Sequence, residues 1–127
     1  MTQQQLSALL YAQQGELDAV LMYNLLSAAA KDEADKQTFK TLAAEEGRHA
    51  SVFYNYTGKK LEPKGTKAKG LVFLYKILGR KKLYPLIAKG EYAAVKKYEP
   101  LVADFPEIKS VKDDEKRHGD TVLELLK

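Results

Sequence analysis

Four long stretches of this sequence have helical period, and each carries one glutamate in the middle of its apolar stripe. At alternating steps of three and four residues, the first stripe reads Leu6, Leu9, Gln13, Glu16, Val20, Tyr23, Ser27, Ala30. The second reads Phe39, Leu42, Glu46, His49, Phe53, and the third Tyr84, Ile87, Glu91, Ala94, Tyr98, Leu101. The fourth reads Ile108, Val111, Glu115, His118, Val122, Leu125. A stripe of this period faces the core of a helical bundle, so the four glutamates and both histidines of the chain are expected to be buried. Buried carboxylates without compensation are costly. Any fold open to this chain must therefore gather a compensating charge at its centre.

Local signals set the boundaries. The first helix is expected from about Thr2 to Ala30, broken by "KDEAD", which offers Asp32 or Asp35 as the next N-cap. The second is expected from about Ala34 to Tyr56, stopped by Gly58. "GKKLEPKGTKAKG" reads as an exposed connection, followed by the short apolar run "LVFLYKIL". The third long helix is expected to start near Leu83, with Pro85 tolerable only in its first turn, and to end near Ala103. Pro106 in "DFPE" marks the start of the fourth, which continues to the C-terminus. No stretch reads as strand. The expected class is all-α: one domain over 1–127, with a hairpin at 1–57, a crossover at 58–82 and a hairpin at 83–127. That is the layout of a four-helix bundle with one long crossover between helices two and three.

The two hairpins repeat one pattern. "GELDAVLMY" (15–23) and "GEYAAVKKY" (90–98) share G-E-x6-Y, and each is followed downstream by E-x-R-H, at Glu46–His49 and Glu115–His118. Residues equidistant from a tight turn are level across a hairpin. Glu16 and Glu46 have their midpoint at residue 31 and Glu91 and Glu115 at residue 103, both at turns. At about 1.5 Å per residue, the pairs lie roughly 22 Å and 18 Å from their turns, near the middle of a bundle roughly 35–40 Å long.

Four carboxylates and two imidazoles at one level can hold two divalent cations, whose charge the four carboxylates balance. A Glu from each of two helices plus Glu-x-x-His from each of the other two is the donor set of dinuclear carboxylate bundles. Hard oxygen donors with one imidazole per metal suit iron or manganese; zinc would bind but prefers fewer ligands. The expected ligands are Glu16, Glu46, His49, Glu91, Glu115 and His118, with Glu46 and Glu115 bridging the metals and Glu16 and Glu91 capping them. Tyr23 and Tyr98 are expected to hydrogen-bond ligand carboxylates. No catalytic residue is expected beyond the ligands.

Composition excludes other chemistries. With no cysteine, disulfide scaffolds, zinc ribbons, iron–sulfur clusters and thiol nucleophiles are ruled out. The N-terminus lacks a signal-peptide pattern and no apolar run approaches a membrane span, so the chain is expected to be soluble and cytoplasmic. The net charge of +4 is concentrated in residues 58–82, which hold nine Lys/Arg against one Glu, leaving −4 for the rest. A basic segment is a poor nucleic-acid footprint for the whole fold, and no nucleic-acid partner is expected. The lysines alternate with Gly and Pro and read as a solvated loop. The alternative is a face lying on anionic lipid. "LVFLYKIL" reads as a cover on the bundle or a homodimer contact, ahead of a membrane-surface element. Arg48 and Arg117, off the stripes, are expected to be solvated or paired with carboxylates such as Glu45, Asp113 or Asp114. Gly15 and Gly90 cost helix stability and are expected to admit a close approach of backbone or side chain.

On Gly15, Glu16 and Tyr23, Glu46 and His49, Gly90, Glu91 and Tyr98, and Glu115 and His118, nearly the whole chain resembles the rubrerythrin branch of the ferritin-like superfamily. The resemblance implies a di-iron centre that reacts with oxygen or hydrogen peroxide in oxidative stress. Two departures stand out. Ala94 occupies the place where rubrerythrins usually have an extra carboxylate, and no rubredoxin-like cysteine module is present, so electrons for a peroxidase must come from an external donor. The basic crossover also looks like the ferritin-like domains that precede vacuolar-iron-transporter-type membrane regions. Two functions are therefore expected to compete. One is a di-iron oxidoreductase that oxidises Fe(II) or reduces peroxide or oxygen. The other is a non-enzymatic iron-binding or sensing domain of a membrane iron transporter, with its membrane region outside this chain.

Overall fold

A computed structural model describes residues 1–127, which form five α-helices and one 3₁₀ turn with no strand. The helices are α1 (Gln3–Ala29), α2 (Glu33–Thr57), α3 (Thr66–Leu78), α4 (Arg80–Tyr98) and α5 (Ile108–Glu124), with the 3₁₀ turn at Glu99–Leu101. The chain divides into two compact units, Met1–Phe73 and Leu74–Lys127.

In the first unit, α1 packs along α2. Thr2 opens α1 with a capping box: its hydroxyl accepts from the Gln5 N–H at 3.0 Å, and Gln5 Oε1 accepts from the Thr2 N–H at 2.8 Å. This satisfies two of the amides that a helix start leaves over. Ala30 is extended and ends α1, and the Asp32 side chain caps α2 by accepting from the Ala34 N–H at 2.8 Å. The turn between them is stitched from both sides. The Ser27 hydroxyl donates to the Lys36 carbonyl at 2.8 Å, and the Lys36 ammonium donates to the carbonyls of Ser27 and Ala28 at 3.2 and 3.3 Å. Those are carbonyls of the last turn of α1, where a cation is favoured. At the far end of α2, Gly58 adopts the left-handed conformation (φ 65°), and its N–H donates to the Tyr54 carbonyl. A side chain there would be strained.

The connection after α2 is not loose. Gln13, buried on the α1 stripe, donates to the Lys59 carbonyl at 2.7 Å and accepts from the Thr57 hydroxyl at 2.6 Å. Gln14 donates to the Glu62 carbonyl, and Asp18 accepts from the Lys64 N–H at 2.7 Å. Polar side chains of α1 thus take up backbone groups of a segment too short of apolar residues to anchor itself.

In the second unit, α4 packs along α5. The helix expected near Leu83 begins at Arg80, so Pro85 is its sixth residue rather than part of its first turn. Proline cannot donate to the Lys81 carbonyl. Both residues are exposed, which leaves that carbonyl open to water. The helix also ends at Tyr98, short of Ala103, where Pro100 removes another donor and the chain tightens into the 3₁₀ turn. The lysine-rich crossover, read as a loop, contains α3. Pro63 and Gly65 lie before its first residue, and only Gly70 falls inside it.

Most stripe positions are buried, with Leu6, Val20, Ser27, Ala94, Leu101 and Leu125 only half-buried. Phe39, Leu42, Phe53, Tyr84, Ile87, Ile108, Val111 and Val122 are all buried. No helix is long and apolar enough to cross a membrane.

Candidate metal centre

Within the first unit, α1 presents Glu16 and α2 presents Glu46 and His49, none more than 1% exposed. The spacing of three puts Glu46 and His49 on one face of α2, and the level pairing of α1 with α2 sets Glu16 beside them. His49 Nδ1 lies 2.9 Å from Glu46 Oε1 and 3.7 Å from Glu16 Oε2. The second unit repeats this: Glu91 comes from α4, Glu115 and His118 from α5, at 6%, 3% and 0% exposure. His118 Nδ1 lies 3.4 Å from Glu115 Oε1 and 3.7 Å from Glu91 Oε2.

These separations can be tested against an ion. Metal–ligand bonds of about 2.0–2.2 Å put neighbouring donor atoms between about 2.8 and 4.4 Å apart. The four distances, 2.9 to 3.7 Å, fall inside that range. In each unit one donor atom from each of the three residues lies within 4.8 Å of the others. Two carboxylates and one imidazole also match the chemistry of a first-row divalent ion that favours oxygen donors. The residues fit a metal, and the buried negative charge gives a reason for one to bind.

The Rubrerythrin family model matches residues 7–126. The chain belongs to the rubrerythrin family. That places it among the ferritin-like di-iron carboxylate proteins, and the all-helical architecture fits their bundle fold. No curated protein and no solved structure matches the chain. Within this rubrerythrin-family chain, all six expected ligands are buried and stand in two like triads.

The accompanying residues divide more unevenly. Tyr23 is fully buried and stacks on Phe39, with ring centroids 5.7 Å apart and planes 19° from parallel. Tyr98 is buried at the end of α4. Arg117 is paired as expected, its Nη2 donating to Asp114 Oδ1 at 3.2 Å, while Asp113 pairs with Lys109 at 2.7 Å.

The expectation for Gly15 and Gly90 is overturned. A Cβ at either position would meet nothing within 4 Å, and both residues are exposed. The close approach is at Gly119 instead, directly after His118. A Cβ there would lie 2.5 Å from Cε1 and 2.7 Å from Cζ of Tyr92. Tyr92 directly follows Glu91, so its ring crosses from α4 onto α5 beside two expected ligands. Its hydroxyl donates to Asp120 Oδ1 at 2.6 Å, and Asp120 also accepts from Lys116 at 2.8 Å. The Lys116 and Tyr92 hydrogen bonds hold the Asp120 carboxyl below its usual range. The hydrogen bond to Asp120 pushes the Tyr92 phenol up. Tyr92 thereby fixes the register of α4 on α5 where Glu91 and His118 meet. A glycine inside a helix beside a stripe histidine was the available signal, but its partner belongs to another helix.

Proposed function

We propose that Glu16, Glu46, His49, Glu91, Glu115 and His118 together hold two iron ions, and that the protein oxidises Fe(II) or reduces hydrogen peroxide at this centre. The observation that carries the reading is the duplication: the same buried Glu/Glu/His triad occurs once in each unit. Two carboxylates per triad balance one divalent ion, so one ion per triad leaves neither half with net buried charge. Family membership supports iron, and manganese or zinc would fit the same donors less specifically.

When bound, two Fe(II) ions supply the two electrons that, with two protons, reduce one hydrogen peroxide to two waters. The chain's own residues hold the ions, neutralise them and exclude bulk water, since no ligand is more than 6% exposed. With no cysteine in the chain, re-reduction falls to a separate electron donor. Ala94 stands on the α4 stripe between Glu91 and Tyr98 and brings no further carboxylate. The six residues are therefore the whole proposed donor set, and Tyr23 and Tyr98 are proposed to orient its carboxylates by hydrogen bonding.

The test is anaerobic loading with Fe(II), followed by oxygen or peroxide in a stopped-flow spectrometer. Oxidation much faster than that of free Fe(II), and slowed in His49→Ala and His118→Ala, is expected. Oxidation at the rate of free Fe(II) with iron bound would instead favour an iron-binding or sensing domain without turnover. Failure to bind iron at all would reject both.

A further inference from the structure

Helix α3 has two unlike faces. Ala68 is fully buried on one, with Val72 and Tyr75 half-buried beside it. On the opposite face, Thr66, Gly70, Phe73 and Ile77 follow at steps of four, three and four residues, and all are exposed. Phe73 and Ile77 are each 62% exposed. At about 3.6 residues per turn, Lys69 and Lys76 flank this crest on one side and Lys67 on the other; all three are exposed. Gly79 (φ 78°) then breaks the helix, and exposed Lys81 and Lys82 follow.

We propose that α3 docks on the surface of a membrane containing anionic lipid, lying in the plane of the interface. Phe73 and Ile77 enter the boundary between headgroups and acyl chains, and Lys67, Lys69 and Lys76 pair with lipid phosphates. An aromatic and a branched aliphatic residue on a crest between lysines is the pattern of an interfacial helix. Charge selects lipid over a second copy of this chain. In a two-fold dimer the same patch meets itself, which would bring the lysines flanking one crest against those flanking the other. Residues 58–82 carry +8 while the rest of the chain carries −4, so the attraction to an anionic surface is local to this segment and orients the protein on it. This inference does not depend on the metal reading.

The test uses the full chain with vesicles of phosphatidylcholine alone or mixed with phosphatidylglycerol, by sedimentation at low and physiological salt. Salt-sensitive binding to the mixed vesicles is expected, with weak binding to the neutral ones. Each interfacial lysine is worth about fivefold in affinity, so Lys67→Gln/Lys69→Gln/Lys76→Gln loses about 100-fold. Phe73→Ser and Ile77→Ser each lose about tenfold. The chain has no tryptophan, so Phe73→Trp provides a single indole whose emission shifts to the blue on insertion. Circular dichroism confirms that each variant remains helical. The proposal is overturned if the wild-type chain ignores the mixed vesicles, or if it binds them while Phe73→Ser and Ile77→Ser bind equally well. A monodisperse dimer that Phe73→Ser converts to monomer, with no vesicle binding, overturns it in favour of a second copy.

Discussion

Replacing Gly119 by alanine should strain the α4–α5 pair. The new Cβ would stand 2.5 Å from Tyr92 Cε1, about 0.9 Å inside the 3.4 Å at which ordinary contact begins. The ring is tethered at its far end by the 2.6 Å hydrogen bond to Asp120, so it cannot withdraw and keep that bond. Overpacking of this kind costs about 1–3 kcal/mol, and loss of the hydrogen bond adds about 1 kcal/mol. Against this, exchanging glycine for alanine inside a helix stabilises by about 1 kcal/mol. Gly15→Ala and Gly90→Ala supply the reference, because a Cβ there meets nothing within 4 Å and only the helix gain applies. Gly119→Ala should therefore fall about 2–4 kcal/mol below either reference in urea unfolding. Adding Tyr92→Ala should remove most of that gap, since the added methyl then has room. A Gly119→Ala variant as stable as Gly15→Ala would refute the reading of Tyr92 as the wedge that sets helix register.

Four further outcomes are expected. Asp120 titrates below its ordinary value of 3.8 because Lys116 and Tyr92 hydrogen-bond its carboxylate; its stabilising contribution is complete above that value and lost as pH falls through the lowered one, so Asp120→Asn should flatten acid unfolding curves in that window. The Tyr92 phenol should titrate above 10.0 by NMR, returning towards it in Asp120→Asn. Thr2→Ala removes the capping box of α1 and should cost about 1 kcal/mol in thermal unfolding. Free Fe(II) at about 100 times its dissociation constant should stabilise the fold by about 2.7 kcal/mol per bound ion, about 5 kcal/mol for two, raising the melting temperature by roughly 20 °C, and a chelator should reverse the shift.

The stripes and the six candidate ligands were legible because a glutamate in the middle of an apolar period contradicts its surroundings. Glu16, Glu46, Glu91 and Glu115 each do so, and the level arithmetic of two hairpins needs only helix rise. The cap of α2 was legible because the short polar side chain of Asp32 precedes its first turn, whereas Thr2 was read as the first residue of α1 and proves to be its cap. Helix α3 was not, because Lys67, Lys69 and Gly70 suggested a loop while the residues that fill its half-buried face, Val72 and Tyr75, sit within an undivided apolar run. The start of α4 was misplaced because Pro85 was assigned to a first turn, whereas an exposed proline is tolerated deeper in a helix when water can reach the carbonyl it leaves over. Gly119 was missed for a different reason. The repeat drew attention to Gly15 and Gly90, but the need for a bare Cα is set by the neighbour across the interface, and Tyr92 lies on another helix.

Spectroscopy of the iron-loaded protein decides whether the two triads act as one centre. Anaerobic titration with Fe(II), then oxidation and electron paramagnetic resonance on the same sample, yields the stoichiometry and the magnetic state together. Two ions per chain, coupled so that the diferric form is silent in conventional resonance, is the expected result, with binding sharply weakened in His49→Ala and His118→Ala while the helix content stays the same. One ion per chain, or isolated ferric signals from uncoupled ions, would contradict a shared dinuclear site.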